Sequence, residues 1–214
     1  MVEVKFCGLT REEDAACAGA LRAGYAGVIF AGGARELAPD RALSLHVAAG
    51  AKVKRVGVFG ADFRTRIGRV TEVDALDVVQ LHADPSVADV RDARRLFAGE
   101  VWAAVRIERD AIPIVAEALF AEADAVLLDA RVPGKLGGAG VALPWRQIAM
   151  EIERIRRGHR LVLAGGLRPD NVAEAVEALL PQIVDVSSGV ESAPGIKDQS
   201  KMQAFSRAVH GRSE

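Results

Sequence analysis

One pattern repeats eight times along this chain: a short, mainly apolar run rich in β-branched residues, then a longer stretch whose apolar residues recur at helical spacing. The runs are VEVKFC at 2–7, AGVIF at 26–30, VKRVGVF at 53–59, VVQLH at 78–82, VWAAVRI at 101–107, AVLLD at 125–129, LVLA at 161–164 and VDVSS at 184–188. Helical stretches follow at 12–24, 39–49, 62–73, 86–97, 111–122, 145–157, 170–180 and 198–209, several opening with Pro, Asp or Ser. A strand with no polar face must be covered on both sides, as in a parallel sheet packed under helices. Eight such units in so short a chain predict an α/β fold: a single (β/α)8 barrel domain spanning 1–214. An open doubly wound sheet fits less well. No GxGxxG follows the first run, and the unusual residues are spread over many run ends instead of one switch point.

Composition narrows the function classes. Half of the residues are hydrophobic and only 5% aromatic, which suits a substantial Ala-, Val- and Leu-rich core. With 28 Lys and Arg against 29 Asp and Glu, there is no overall basic field for nucleic acid or an anionic membrane, and neither partner is expected. No apolar run approaches the ~20 residues of a membrane span, and the start, MVEVKFCGLTREED, lacks a signal peptide's long apolar middle. A cytoplasmic protein is expected, with Cys7 and Cys17 reduced and not in a metal-binding spacing. Cys17, Trp102 and Trp145 read as packing residues.

In a barrel of this kind the C-terminal ends of all strands face one mouth. Cys7, Arg35, Gln80, His82, Arg106, Asp129 and Asp185 fall at or near those ends. A thiol and a carboxyl on opposite walls form a base and acid pair, one removing a proton while the other delivers one. The turns after the seventh and eighth runs carry Gly165, Gly166, Ser188 and Gly189, where backbone N–H groups can converge on an anion with little side chain in the way. This predicts a phosphorylated small-molecule ligand on the loops after strands seven and eight. His82 and Asp185 carry less weight, since either could be a structural partner within the barrel rim.

These segments resemble the phosphoribosylanthranilate isomerase family of tryptophan biosynthesis over nearly the whole chain. VKFCGLTREEDA is similar to the family's opening KICGIT, VGVF and VQLH to its third and fourth strands, and LLDA with GGAG to its LLDT and glycine loop. LAGGLRPDNV and DVSSGVESAPGIKD are almost letter for letter its phosphate end. The resemblance implies an Amadori rearrangement of N-(5-phosphoribosyl)anthranilate to 1-(2-carboxyphenylamino)-1-deoxyribulose 5-phosphate. No cofactor and no metal are expected, because one carbon is oxidised while its neighbour is reduced in the same molecule. By the same resemblance Asp129 is the general acid, Cys7 the general base and Arg35 the partner of the anthranilate carboxylate, which a planar guanidinium can grip bidentately. The family includes monomers and homodimers.

The chain departs from the family at three places: FAGGAREL around Arg35, Ala83 in QLHADP, and Ala139 in the 137–140 glycine loop. For the two roles to operate near neutrality, Cys7 must titrate lower than a free thiol and Asp129 higher than a free carboxyl. Lys5, two residues before Cys7 on the same face of its strand, is the candidate for lowering the thiol. Three other functions fit less well. A histidine-pathway aminoaldose–ketose isomerase would carry an aspartate at Cys7 and two matching phosphate halves. A metal-dependent epimerase would need paired His and Asp ligands, and His46, His159 and His210 lie away from the run ends. A non-catalytic sugar-phosphate-binding barrel would need none of the acid and base residues.

Overall fold

The computed structural model of the chain describes residues 1–130 and 142–211. Eight parallel strands, β1 (Glu3–Cys7), β2 (Tyr25–Ile29), β3 (Lys54–Phe59), β4 (Val78–Leu81), β5 (Glu100–Ile107), β6 (Ala125–Ala130), β7 (Leu161–Leu163) and β8 (Ile183–Val186), pair in chain order. β8 returns to pair with β1, so the sheet closes as the eightfold repeat predicts. The helices are α1 (Glu12–Ala20), α2 (Pro39–Ala49), α3 (Phe63–Thr71), α4 (Val87–Leu96), α5 (Ala116–Glu122), α6 (Trp145–Arg156), α7 (Val172–Leu179) and α8 (Gln199–His210).

Strand alternation splits the core in two. Val4, Phe6, Val28, Val79, Val105, Leu128 and Leu163 point outward and pack with buried helix residues such as Leu45, Ile67 and Phe205. Tyr25, Val56, Val78, Trp102, Leu127, Val162 and Ile183 point inward and plug the barrel, with Tyr25 and Trp102 meeting edge to face at 5.0 Å. Each fully buried Val, Leu or Ile contributes about 1.5–3 kcal/mol, so both layers matter. Trp102 is a plug residue and Trp145 lies in the outer layer, as their packing assignment anticipates. Above the plug the inward positions turn polar, with Lys5, Cys7, Gln80, Asp129 and Asp185 all buried near strand ends.

Two local expectations need correction. The fifth helix starts at Ala116 instead of 111, because Ile112 precedes Pro113 and is held off helical geometry while Ala111 bridges back to Glu108. The eighth strand ends at Val186, not 188: Ser188–Val190 form a 3-10 turn, and a short antiparallel pair, β9 (Glu191–Ala193) and β10 (Ile196–Lys197), follows. The turn between them uses Pro194 and Gly195, the latter at φ +81°, in the left-handed region that favours glycine.

Candidate active site

At the C-terminal mouth of the barrel lies a cavity of about 540 Å³. Its walls bring together Cys7 from β1, Arg35 from the loop after β2, Gln80 and His82 from the end of β4, Asp129 from β6, Asp185 from β8, and the turns at Gly165–Gly166 and Ser188–Gly189. The catalytic and substrate-binding candidates read from the sequence, Cys7, Asp129, Arg35, His82, Asp185 and the two glycine turns, therefore reach one cavity. Arg106 does not line it, and its guanidinium pairs with Asp84, with Nε at 2.7 Å from the carboxylate. The loop at 137–140, including Ala139, lies outside the described residues.

Strand register explains the thiol's surroundings. Cys7 sits opposite Gly27 across the β1–β2 seam, and a Cβ on Gly27 would come within 3.1 Å of Cys7 Sγ and 3.2 Å of Lys5 Cε. The bare glycine makes room for both inward side chains. Across the closing seam, Lys5 is in register with Asp185 and donates to it at 2.8 Å, both groups buried. Burial lowers the Lys5 ammonium, but Asp185 and the neighbouring thiol outweigh it and hold the pKa above its ordinary value.

The same pair bears on Cys7. Burial pushes the thiol up and the negative Asp185 adds to this, while Lys5 and Lys197 oppose; the net direction is upward. A thiol lowered by Lys5 is thus not what the resting site holds, because burial of the thiol, with Asp185 adding to it, outweighs the pull of the ammonium. Removing that ammonium should push the thiol further. In Lys5→Met, alkylation of Cys7, followed peptide by peptide to separate it from Cys17, should move to higher pH, and stability should fall by about 3–5 kcal/mol as Asp185 is left without its partner. An unshifted alkylation profile would remove Lys5 from the thiol's control.

Across the mouth, Asp129 accepts the backbone N–H of Ala130 through Oδ1 at 2.8 Å, and its Oδ2 lies 3.5 Å from His82 Nε2. Gln80 Nε2 is 3.3 Å from His82 Nδ1, so the amide can donate there and leave the imidazole proton on Nε2, facing the carboxyl. Burial pushes Asp129 up, more than His82, the Ala130 N–H and Arg106 pull it down, and burial lowers His82. The pair favours a neutral imidazole beside a carboxyl able to hold a proton. Two buried oxygens, Gln80 Oε1 and Asp185 Oδ1, have no hydrogen-bond partner among the described residues, and both residues line the cavity. Such acceptors are costly to bury unmatched and suit a hydroxyl-bearing ligand.

Arg35 is more restrained than its loop sequence suggests. Its Nε and Nη2 donate to the two oxygens of Glu191 at 2.8 and 2.7 Å, while Nη1 makes no hydrogen bond among the described residues. Glu191 and its neighbour Lys197 were missed by sequence reading. On the far wall, Gly165 and Gly166 adopt φ of +80° and +63°, in the left-handed region that favours glycine. A Cβ on Gly165 would lie 2.8 Å from Ala130 N and 3.2 Å from Asp129 Oδ1, and one on Gly189 only 1.8 Å from Leu167 O. The two turns pack directly on each other. Among the described residues, the backbone N–H groups of Gly166, Ser188 and Gly189 make no hydrogen bond. No group of three or more His, Cys, Asp or Glu residues is placed to hold a metal ion among the described residues, and no helix there is long and apolar enough to cross a membrane.

With this geometry in place, the comparison with known proteins is decisive. The family model for N-(5'-phosphoribosyl)anthranilate isomerase matches residues 4–208. The chain belongs to the phosphoribosylanthranilate isomerase family. A family member of that name from Acetivibrio thermocellus is 37% identical over 213 residues, covering 96% of this chain and 94% of the relative. Among solved structures, the phosphoribosyl anthranilate isomerase of Thermus thermophilus matches with a TM-score of 0.83 at 35% identity, covering 98% of each chain. Another isomerase structure, in complex with reduced 1-(o-carboxyphenylamino)-1-deoxyribulose 5-phosphate, matches with a TM-score of 0.81 at 32% identity, over 99% of this chain and all of that one. Membership in the isomerase family and the closed barrel thus agree with the sequence reading.

Proposed function

We infer that this chain is the phosphoribosylanthranilate isomerase of tryptophan biosynthesis, with Asp129 as general acid and Cys7 as general base. The observation that carries the assignment of roles is the placement of a buried thiol and a buried carboxyl on one cavity whose turns, among the described residues, also have unpaired main-chain N–H groups. Asp129 gives its proton to the furanose ring oxygen. The C1′–O bond breaks, and the anilino nitrogen's lone pair forms the C1′ iminium. Cys7, as thiolate, then takes the C2′ proton, and the electron pair moves to nitrogen to give an enolamine. Tautomerisation places a hydrogen on C1′ and a ketone at C2′, so the oxidised and reduced carbons balance within the substrate.

The substrate is anionic at both ends, and the site has a cationic feature or a donor for each. Arg35 Nη1 is available to the aromatic carboxylate, and the trio Arg35, Glu191 and Lys197 carries one net positive charge. The phosphate is assigned to the turns at Gly165, Gly166, Ser188 and Gly189, whose N–H groups need no dedicated lysine. Asp185 Oδ1 and Gln80 Oε1 are acceptors for sugar hydroxyls. The reaction needs no redox partner, and the same reading places the protein in the cytoplasm.

The phosphate assignment has a sharp steric test. Gly189→Ala drives a methyl group into Leu167 O and separates the two turns. Affinity for a phosphorylated product analogue, measured by calorimetry, should fall at least about tenfold, or about 1.4 kcal/mol, while the dephosphorylated analogue binds as before. Equal losses for both ligands would move the phosphate elsewhere. The activity itself is tested by adding the purified protein to freshly made phosphoribosylanthranilate in EDTA and following the loss of its fluorescence. Catalysed loss is expected, and none above the uncatalysed rate would reject the reading.

A further inference from the structure

The strand pair that follows β8 carries two charged side chains that are almost completely buried and do not line the cavity, Glu191 at 9% and Lys197 at 3% exposure. The Lys197 ammonium has three N–H donors, and three strong acceptors surround it: the carbonyl of Cys7 at 2.7 Å, the carbonyl of Ser187 at 3.1 Å and Glu191 Oε1 at 2.9 Å. One cation thus ties the end of β1, the end of β8 and the β9–β10 pair together. Glu191 passes the connection on, since the oxygen bound to Lys197 also accepts Arg35 Nε while its other oxygen accepts Arg35 Nη2. Two parallel bonds fix the plane of the guanidinium as well as its position. Arg35 needs such support because its loop is glycine-rich, with Gly32 and Gly33 both at positive φ and nothing within 4 Å of where a Cβ would stand.

We propose that Glu191 and Lys197 are positioning residues of the isomerase: Glu191 orients Arg35 toward the substrate's aromatic carboxylate, and Lys197 holds Glu191 in register with the backbone that carries Cys7. This rests on the reading that Arg35 takes that carboxylate and Cys7 removes the C2′ proton. The linkage explains why two charges are kept in the interior when a surface arginine alone could meet an anion. Leaving either one without the other would be expensive, so the pair is built as a unit. It also gives the β9–β10 pair a purpose, as the element that reaches back under the mouth to steady two residues from distant parts of the chain.

The test compares two ligands, reduced 1-(o-carboxyphenylamino)-1-deoxyribulose 5-phosphate and its phenylamino counterpart lacking the carboxylate. The ratio of their affinities isolates what the carboxylate contributes and is insensitive to general loosening of the barrel. Arg35→Ala should collapse the ratio. Glu191→Gln, which keeps shape but loses the charge, should lower it at least about tenfold with kcat changed less than about threefold, and should add nothing in an Arg35→Ala background. Lys197→Met should lower the ratio and also reduce kcat about tenfold, as the Cys7 and Ser187 carbonyls lose their donor. Should Glu191→Gln fail to fold, Glu191→Asp is read the same way, with a smaller loss of ratio expected. A wild-type ratio in the Glu191 variant, with the ratio lost in Arg35→Ala, would overturn the positioning role and leave Arg35 in place. A retained ratio in Arg35→Ala would instead overturn the carboxylate assignment, and the proposal with it.

Discussion

Asp129→Asn is expected to lower kcat by about 10²- to 10⁴-fold, with affinity for the reduced product analogue within about threefold of wild type. The amide keeps the size of the carboxyl and can still accept the Ala130 N–H through its oxygen, so the turn at Gly165 has no cause to move. What it loses is the transferable proton. Because burial lifts the Asp129 carboxyl, the native group can hold that proton at a pH where an exposed aspartate would have released it. Ring opening then falls to water alone, and steady-state kinetics with calorimetric binding separate this from a binding defect. Turnover near wild type in the purified variant would remove Asp129 as the acid.

A loss of similar size is expected for Cys7→Ser, and a complete one for Cys7→Ala, again with analogue binding largely retained. Serine keeps the position opposite Gly27, but its hydroxyl is a far weaker acid than a thiol, so the base is lost without disturbing the packing. The electrostatics make this step sensitive. A free thiol titrates near ~8.5 and a free aspartate near ~3.9, and at Cys7 burial raises the thiol further. With the carboxyl titrating below the thiol, the competent form, thiolate with protonated carboxyl, is the minor arrangement of the one proton the two groups hold between their titrations. Its share is constant between the two titrations. Turnover should be flat between the two titrations, falling about tenfold per unit below the carboxyl's titration as thiolate disappears. It should fall equally steeply above the thiol's titration as the protonated carboxyl disappears. Lowering the thiol by one unit would raise the competent share about tenfold, which is why Lys5 and the position of Asp185 matter to rate.

The eightfold barrel was legible because each strand is buried on both faces and each helix on one, a pattern that local sequence carries, while the start of α5, the end of β8 and the β9–β10 pair were not. Cys7, Asp129 and the glycine turns were legible because a thiol, a carboxyl and a Gly-Gly pair stand out among apolar strand ends, and the family words around them are dense. Partners across the closed barrel were not. Lys5 reads as facing the same side as Cys7, yet nothing local says that Asp185, 180 residues away, meets it when β8 closes on β1. Glu191 and Lys197 were hidden for a related reason. In the sequence they flank a Pro-Gly turn and look like solvated charges, and only the return of that strand pair under the Arg35 loop buries them.

The central claim, that Asp129 opens the ring and Cys7 then takes the C2′ proton, is tested most directly by single-turnover kinetics with substrate deuterated at C2′. Deuterium should slow the Cys7→Ser variant at least as much as the wild type, because proton removal limits it, and should have no effect on Asp129→Asn, where ring opening limits. An isotope effect that vanishes in Cys7→Ser and persists in Asp129→Asn would contradict the account.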